Sequence, residues 1–341
     1  LFGGYHLGFN AETWLYDVRA NAWKNMSPPA APSGRAAFGM AYDAESDRVI
    51  MFGGITTWYD FSNETWAYDP NTNTWTNMNP ATSPPKLVGA PLVYDSRRDR
   101  VVLFGGHDPN GYVYSDTWTY DFNSNTWAKA TPTTSPPPHV SHVLAYDVES
   151  DRVVLFGGQV EQAGTDGSDT WAYDAANETW LEMKPNPRPT SRAFHAGVYD
   201  AKADRILMFG GDAAGENETW EYDLDADAWS RIETASRPSD RGMHAMAYDV
   251  ASDRTVLFGG MWPIGLITNW ACIKNQETWL FDHANGTWTN VTSLGPPPVD
   301  HPLPVWVWPL VAVGVAGAAT AAYVLIRRRR KLVEESAPPR K

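Results

Sequence analysis

The residues best able to do chemistry recur at one spacing. Arg192 and His195 stand three apart, as do Arg241 and His244, and His139 and His142; Arg35 with Phe38 and Leu87 with Ala90 hold the same places upstream. His142, His195 and His244 each lie four residues before a tyrosine. Three histidines brought together would make a His₃ metal site. Arg192 and Arg241 beside them repel a cation, so the pattern reads instead as hydrogen bonding between repeated units, and no metal or cofactor is assigned. A second group lies in MWPIGLITNWACIKNQ (261–276), where Trp262, Trp270 and Lys274 surround Cys272. Large rings stack on a sugar or anchor a protein, and Lys274 with Arg192 and Arg241 can pair with carboxylates. These residues, with His142, His195 and His244, are the ligand-binding candidates. No catalytic triad and no HExxH zinc motif is present.

The string DRVVLFGG occurs at 99–106 and again at 151–158. An apolar strand ending in two glycines can lead into a phosphate loop, which needs a helix start and usually a Lys and a Ser/Thr. The glycines run on into HDPNGYVYSDTWTYD in one copy and QVEQAGTDGSDTWAYD in the other. Neither holds GK[ST] or helical apolar spacing. The pair also stands at 3–4, 53–54, 210–211 and 259–260, about 50 residues apart each time. The glycines are therefore read as structural, ending a strand where the backbone turns sharply and a neighbour approaches.

The elements that position these residues are set by the repeat. A full module has four strands, shown by RAFHAGVYD (a), DRILMFGG (b), ETWEYD (c) and AWS (d) within 192–230. The a–b turn is nearly constant: YDAESDR, YDSRRDR, YDVESDR, YDAKADR, YDVASDR. Aspartates at both ends suit side-chain-to-backbone bonding. The tryptophan pairs Trp14/Trp23, Trp66/Trp75, Trp118/Trp127, Trp171/Trp180, Trp220/Trp229 and Trp279/Trp288 are all nine apart, so all twelve are read as packing between modules. The chain of 341 residues, with 17 Trp, 15 Tyr, 26 Pro and 27 Gly, suits one large all-β domain of short strands. Its net charge is −13, and residues 1–326 hold 38 acidic against 20 basic side chains, which disfavours nucleic acid.

The order apolar strand–GG, Tyr-Asp, then Trp resembles the kelch repeat over residues 1–292, and YDxxxDR with ETWxYD resembles the galactose-oxidase central-domain type. The resemblance implies an all-β, kelch-type β-propeller of six visible four-stranded modules, the first truncated because it lacks strand a and most of strand b. Kelch propellers serve as enzymes and as binding scaffolds. The resemblance leaves a galactose-oxidase-like extracellular enzyme as the alternative; that copper chemistry uses a Cys–Tyr thioether with Tyr and His ligands, and no such set accompanies the lone Cys272. In antiparallel order the b–c and d–a loops share one face. The b–c loops differ most: GENETW is short, HDPNGYVYS is aromatic, and 261–276 is the longest. Variable loops on a uniform frame read as the ligand face.

After a Pro-rich linker, 293–304, residues 305–326 are charge-free, and RRRRK comes directly after them. This reads as one transmembrane helix with a basic cytoplasmic tail, 327–341, and the propeller outside. The sequons Asn25, Asn63, Asn177, Asn217, Asn285 and Asn290 fit that side, although NETW generates Asn63 and Asn217 by itself. The chain opens within a module, so it reads as a fragment or processed form. The expected function is a membrane-anchored scaffold for an extracellular protein or glycan.

Overall fold

The computed structural model describes residues 1–5, 8–57, 60–160, 165–211, 217–262 and 273–292. The fifth module shows the unit. Strands Ala196–Asp200 (a), Arg205–Phe209 (b), Thr219–Asp223 (c) and Ala228–Ile232 (d) pair antiparallel in that order. Phe209 faces Thr219 and Tyr222 faces Trp229 across the ladder. The turns are shaped by the aspartates. Asp200 accepts the N–H groups of Lys202 and Ala203, and Asp204, at φ 56°, accepts the Tyr199 hydroxyl at 2.7 Å. The corresponding tyrosine–aspartate bonds recur from Tyr42, Tyr94, Tyr146 and Tyr248.

After its leading arginine, strand b of this module is apolar at every position, Ile206 to Phe209, because it is covered on both faces. One core fills each interval between modules. Val154 and Phe156 of the fourth module meet Ile206, Met208 and Trp229 of the fifth, and Leu207 and Phe209 of the fifth meet Leu257, Phe281 and Trp288 of the sixth. The a strands of the second to sixth modules pack side by side as the innermost strands. Just before them, one backbone bond per step links neighbours: Gly89, Ser141, Phe194 and Met243 each donate to the preceding module. The architecture is an all-β propeller.

Among the described residues five blades are four-stranded, not six. The first module supplies a two-stranded hairpin, Trp14–Asp17 with Ala22–Asn25, and isolated bridges from Phe2 to Thr13 and from Tyr5 to Phe9. The hairpin nevertheless fills its interval. Trp23 Nε1 donates to Thr278 Oγ1 at 3.0 Å, and Trp75 Nε1 donates to Thr13 Oγ1 at 2.9 Å. With Trp127–Thr65, Trp180–Thr117, Trp229–Thr170 and Trp288–Thr219, these bonds run round the ring without a break.

The expected membrane span, 305–326, lies outside the described residues, as do the linker and the tail. Among the described residues no helix is long and apolar enough to cross a membrane.

Candidate functional site

The face carrying the b–c and d–a loops is built on one repeated clasp. At the start of strand a, Arg35, Arg192 and Arg241 are fully buried. Arg192 donates to the Gly210 carbonyl at 3.2 Å, the Thr190 carbonyl at 3.1 Å and Glu218 at 3.2 Å. Arg35 does the same with Gly53, Ser33 and Glu64, and Arg241 with Gly259, Ser239 and Glu277. Each glutamate also accepts the indole N–H two residues on, at 2.8 Å from Trp220 and 3.0 Å from Trp279. Burial alone would raise the Glu218 pKa; bonds from Trp220 and Arg192 more than offset it and hold the carboxyl below its ordinary range. The clasp ties strand a to both ends of the b–c loop. Arg192 and Arg241 were expected to be rim contacts for a ligand. The correction is that they lie under the surface as framework.

The glycines belong to the same frame. Gly105 and Gly106 have φ of 66° and 88°, and a Cβ on Gly105 would sit 2.3 Å from the His139 carbonyl oxygen. Only glycine allows that approach.

His142, His195 and His244 are likewise buried. Each ring is a wedge in its own slot, set edge-on against the phenylalanine of the preceding module: Phe104, Phe156 and Phe209, at 5.7, 5.4 and 5.6 Å between centroids. Phe38 fills the equivalent slot against Phe2. They are not rim residues, and among the described residues the only group of three His/Cys/Asp/Glu side chains close enough to share an ion is Asp43, Glu45 and Asp99, without a histidine. Burial pushes the pKa of His195 and of His244 down to about 3, with Arg192 and Arg241 adding to the shift. The unfolded chain protonates these rings near 6.5 and the folded chain only near 3. Stability therefore falls as pH drops through that window, by about 1.4 kcal/mol per pH unit for each ring. The double substitution His195→Phe/His244→Phe, which repeats the Phe38 arrangement, is expected to keep the fold at neutral pH and to flatten the loss of melting temperature on acidification. An unchanged acid slope would show that other groups control it.

The 261–276 loop rises from a short antiparallel pair, Met261–Trp262 with Ile273–Lys274. Trp262 and Lys274 thus sit at its base, facing partners Ile273 and Met261 in register. Trp270 and Cys272 lie outside the described residues. Among the sequons, Asn63, Asn177, Asn285 and Asn290 are exposed, while Asn25 and Asn217 are half-buried.

The third and fourth modules break the clasp. In the fourth, His139 replaces the arginine and meets the Pro137 carbonyl at 2.6 Å and Asp169 at 3.3 Å. In the third, Leu87 replaces it, and Asp116 pairs with Lys129 at 2.8 Å. Beside that change stands the aromatic loop, with Tyr112 exposed and Tyr114 half-buried. These two tyrosines are absent from the expected site. The signal for them was the loop composition set beside Leu87, the module's missing arginine.

A sequence profile of the Attractin/LZTR1 beta-propeller matches residues 1–219. The chain belongs to this β-propeller family. A kelch-repeat protein stands among its relatives. An F-box/kelch-repeat protein of Arabidopsis thaliana is 29% identical over 237 residues, covering 62% of this chain and 47% of the relative. Host cell factor of Drosophila melanogaster is 24% identical over 234 residues, covering 62% and 15%. A putative adagio-like protein 2 of Oryza sativa subsp. japonica is 30% identical over 206 residues, covering 58% and 31%. The chain spans less than half the length of each of these relatives. What the chain shares with them is the propeller of kelch type.

Proposed function

We propose that this propeller binds its protein partner on the face of the b–c and d–a loops. One observation carries the reading: five blades share a frame down to individual hydrogen bonds, and they differ where that frame ends in these loops. Recognition needs difference, and the a–b turns offer little of it. The 261–276 loop, with Trp262, Trp270 and Lys274, is the largest departure and supplies ring area at small entropic cost.

The setting we propose is the outer surface of a membrane, with 305–326 as the span and 327–341 inside. Support comes from the sequence: the charge-free stretch, the RRRRK directly after it and the exposed sequons. The relatives named above add none.

Partner capture by cross-linking tests the face. Shortening 261–276 to a Gly-containing tight turn is expected to lower capture about tenfold or more, as loss of a hot-spot aromatic does. Altering only exposed residues of the a–b turns is expected to leave it unchanged. The opposite pattern places the site on the other face.

A further inference from the structure

The third module departs from the repeat in several places, and these converge on one loop. The Tyr114 N–H donates to the Gly106 carbonyl at 2.9 Å, and its carbonyl accepts from His139 N–H at 3.3 Å. The same position, bonded to the second glycine of its own module, holds Asn10, Ser62, Gly167 and Asn275 elsewhere. Among the five modules in which this bond is described, four place a short side chain or none there and one places a tyrosine.

Tyr112, two residues earlier, is 54% exposed. Its ring meets that of Tyr114 edge-on, with centroids 4.7 Å apart and planes at 80°. The loop is fixed before any ligand arrives. The Asp108 carboxylate accepts the N–H groups of Asn110 at 2.8 Å and Tyr112 at 3.0 Å. The Asp108 N–H donates to the Tyr112 carbonyl, and the Gly111 N–H to the Asp108 carbonyl, both at 3.0 Å.

Negative charge gathers at this corner. Leu87 leaves Asp116 without the buried arginine that Glu64, Glu218 and Glu277 have, and its side chain is 25% exposed. Burial raises the Tyr114 pKa, and the charges of Asp108 and Asp116 add to it, so both carboxylates bear on that ring. Asp108 itself stays ionised: burial opposes this, and its bonds from Tyr112 and Asn110 outweigh burial. Lys129 holds Asp116, but half of the lysine is exposed, and an ion pair of that kind yields easily to a better-placed cation.

Two perpendicular aromatic rings flanked by carboxylates select for an organic cation. The ring faces attract positive charge, and the carboxylates pair with it. An anion is repelled, and an apolar group gains nothing from the carboxylates. We propose that Tyr112, Tyr114, Asp108 and Asp116 form a receptor for an arginine side chain of the protein partner. Arginine fits better than lysine because a planar guanidinium can stack on one ring while its edge forks to a carboxylate. The inference rests on the reading of this face as the protein-binding one and names the partner's anchoring residue.

The test needs no partner. The full chain, with ring-labelled tyrosine, is titrated by NMR with N-acetylarginine amide and, separately, with the citrulline amide, which has nearly the same shape without the charge. Tyr112→Phe and Tyr114→Phe assign the resonances. The expected result is saturable movement of both rings with the arginine probe and a response at least about fivefold weaker with citrulline, the charge being the main attraction. Asp108→Asn keeps an oxygen for the loop's N–H groups and is expected to weaken the arginine titration about five- to tenfold. Tyr112→Ala, at an exposed position, is expected to abolish the movement of Tyr114 at an unchanged melting temperature. Equal response to both probes, no response to either, or arginine titrations untouched by Asp108→Asn and Tyr112→Ala overturn the proposal. Those outcomes leave the partner-capture result on the 261–276 loop standing, so the two readings fail separately.

Discussion

Trp229→Ala is expected to destabilise the propeller by about 3–5 kcal/mol, the range for emptying a large core site, and Trp220→Ala in the same sheet by clearly less. Trp229 is 3% exposed and fills the interval between the fourth and fifth modules. Its ring lies 4.7 Å from that of Phe156 and 4.9 Å from that of Tyr222, and its N–H donates to Thr170 Oγ1 at 3.2 Å. Truncation removes both ring contacts, opens a cavity between two sheets that cannot collapse independently, and strands a buried hydroxyl. Trp220 is half-exposed, and its N–H donates to Glu218, which water can replace in part. Chemical denaturation of the two variants decides the matter. Equal losses would show that the two tryptophan registers share one packing role.

That split between the registers was not legible in the spacing. Tyr222 pairs with Trp229 and Trp220 with Arg231, so both tryptophans lie on one face of the sheet. They differ in position along the strands, and Trp220 stands at the mouth end beside Glu218. A nine-residue interval gives the turn length and the face but not the depth. The strands, the aspartate turns and the role of the glycines were all legible, because each depends on contacts within a few residues or on a strict repeat. The blade count was harder. Six tryptophan pairs correspond to six intervals, but a four-stranded blade also needs paired strands a and b, and among the described residues five modules pair all four. The burial of Arg192 and Arg241 was hidden for another reason. Their glutamates lie across b–c loops of unequal length, 26 and 36 residues away, so no fixed spacing joins them. A composition rule does join them. The modules with arginine carry Glu before the strand c tryptophan, and those with Leu87 or His139 carry Asp116 or Asp169. The carboxylate is one carbon shorter where no arginine has to be met.

Under that rule, Arg241→Ala is expected to cost about 3–5 kcal/mol, as removal of one partner from a buried ion pair does. Arg241 is fully buried and donates to the Gly259 carbonyl at 3.1 Å, to the carbonyl and hydroxyl of Ser239 at 3.0 Å each, and to Glu277. Alanine leaves Glu277 with only the Trp279 indole and removes the donor to the Gly259 carbonyl. Lysine is a poor rescue, since one ammonium cannot reach three separated acceptors with the guanidinium's fork. The damage should concentrate at the base of the 261–276 loop. Gly242 and Met261 exchange backbone bonds there, and Asn275 N–H donates to the Gly260 carbonyl. Faster amide hydrogen exchange at Met261 and Asn275 is therefore expected before any global unfolding. The third module supplies the compensating design within the same chain: Leu87 with Asp116 builds a blade with no buried arginine. Arg241→Leu/Glu277→Asp is accordingly expected to recover part of the loss, because leucine refills the buried volume and the shorter carboxylate can keep to a partly exposed position, as Asp116 does. A double variant as unstable as the sum of its parts would mean that the arginine acts through packing alone and that the Glu/Asp alternation has another cause.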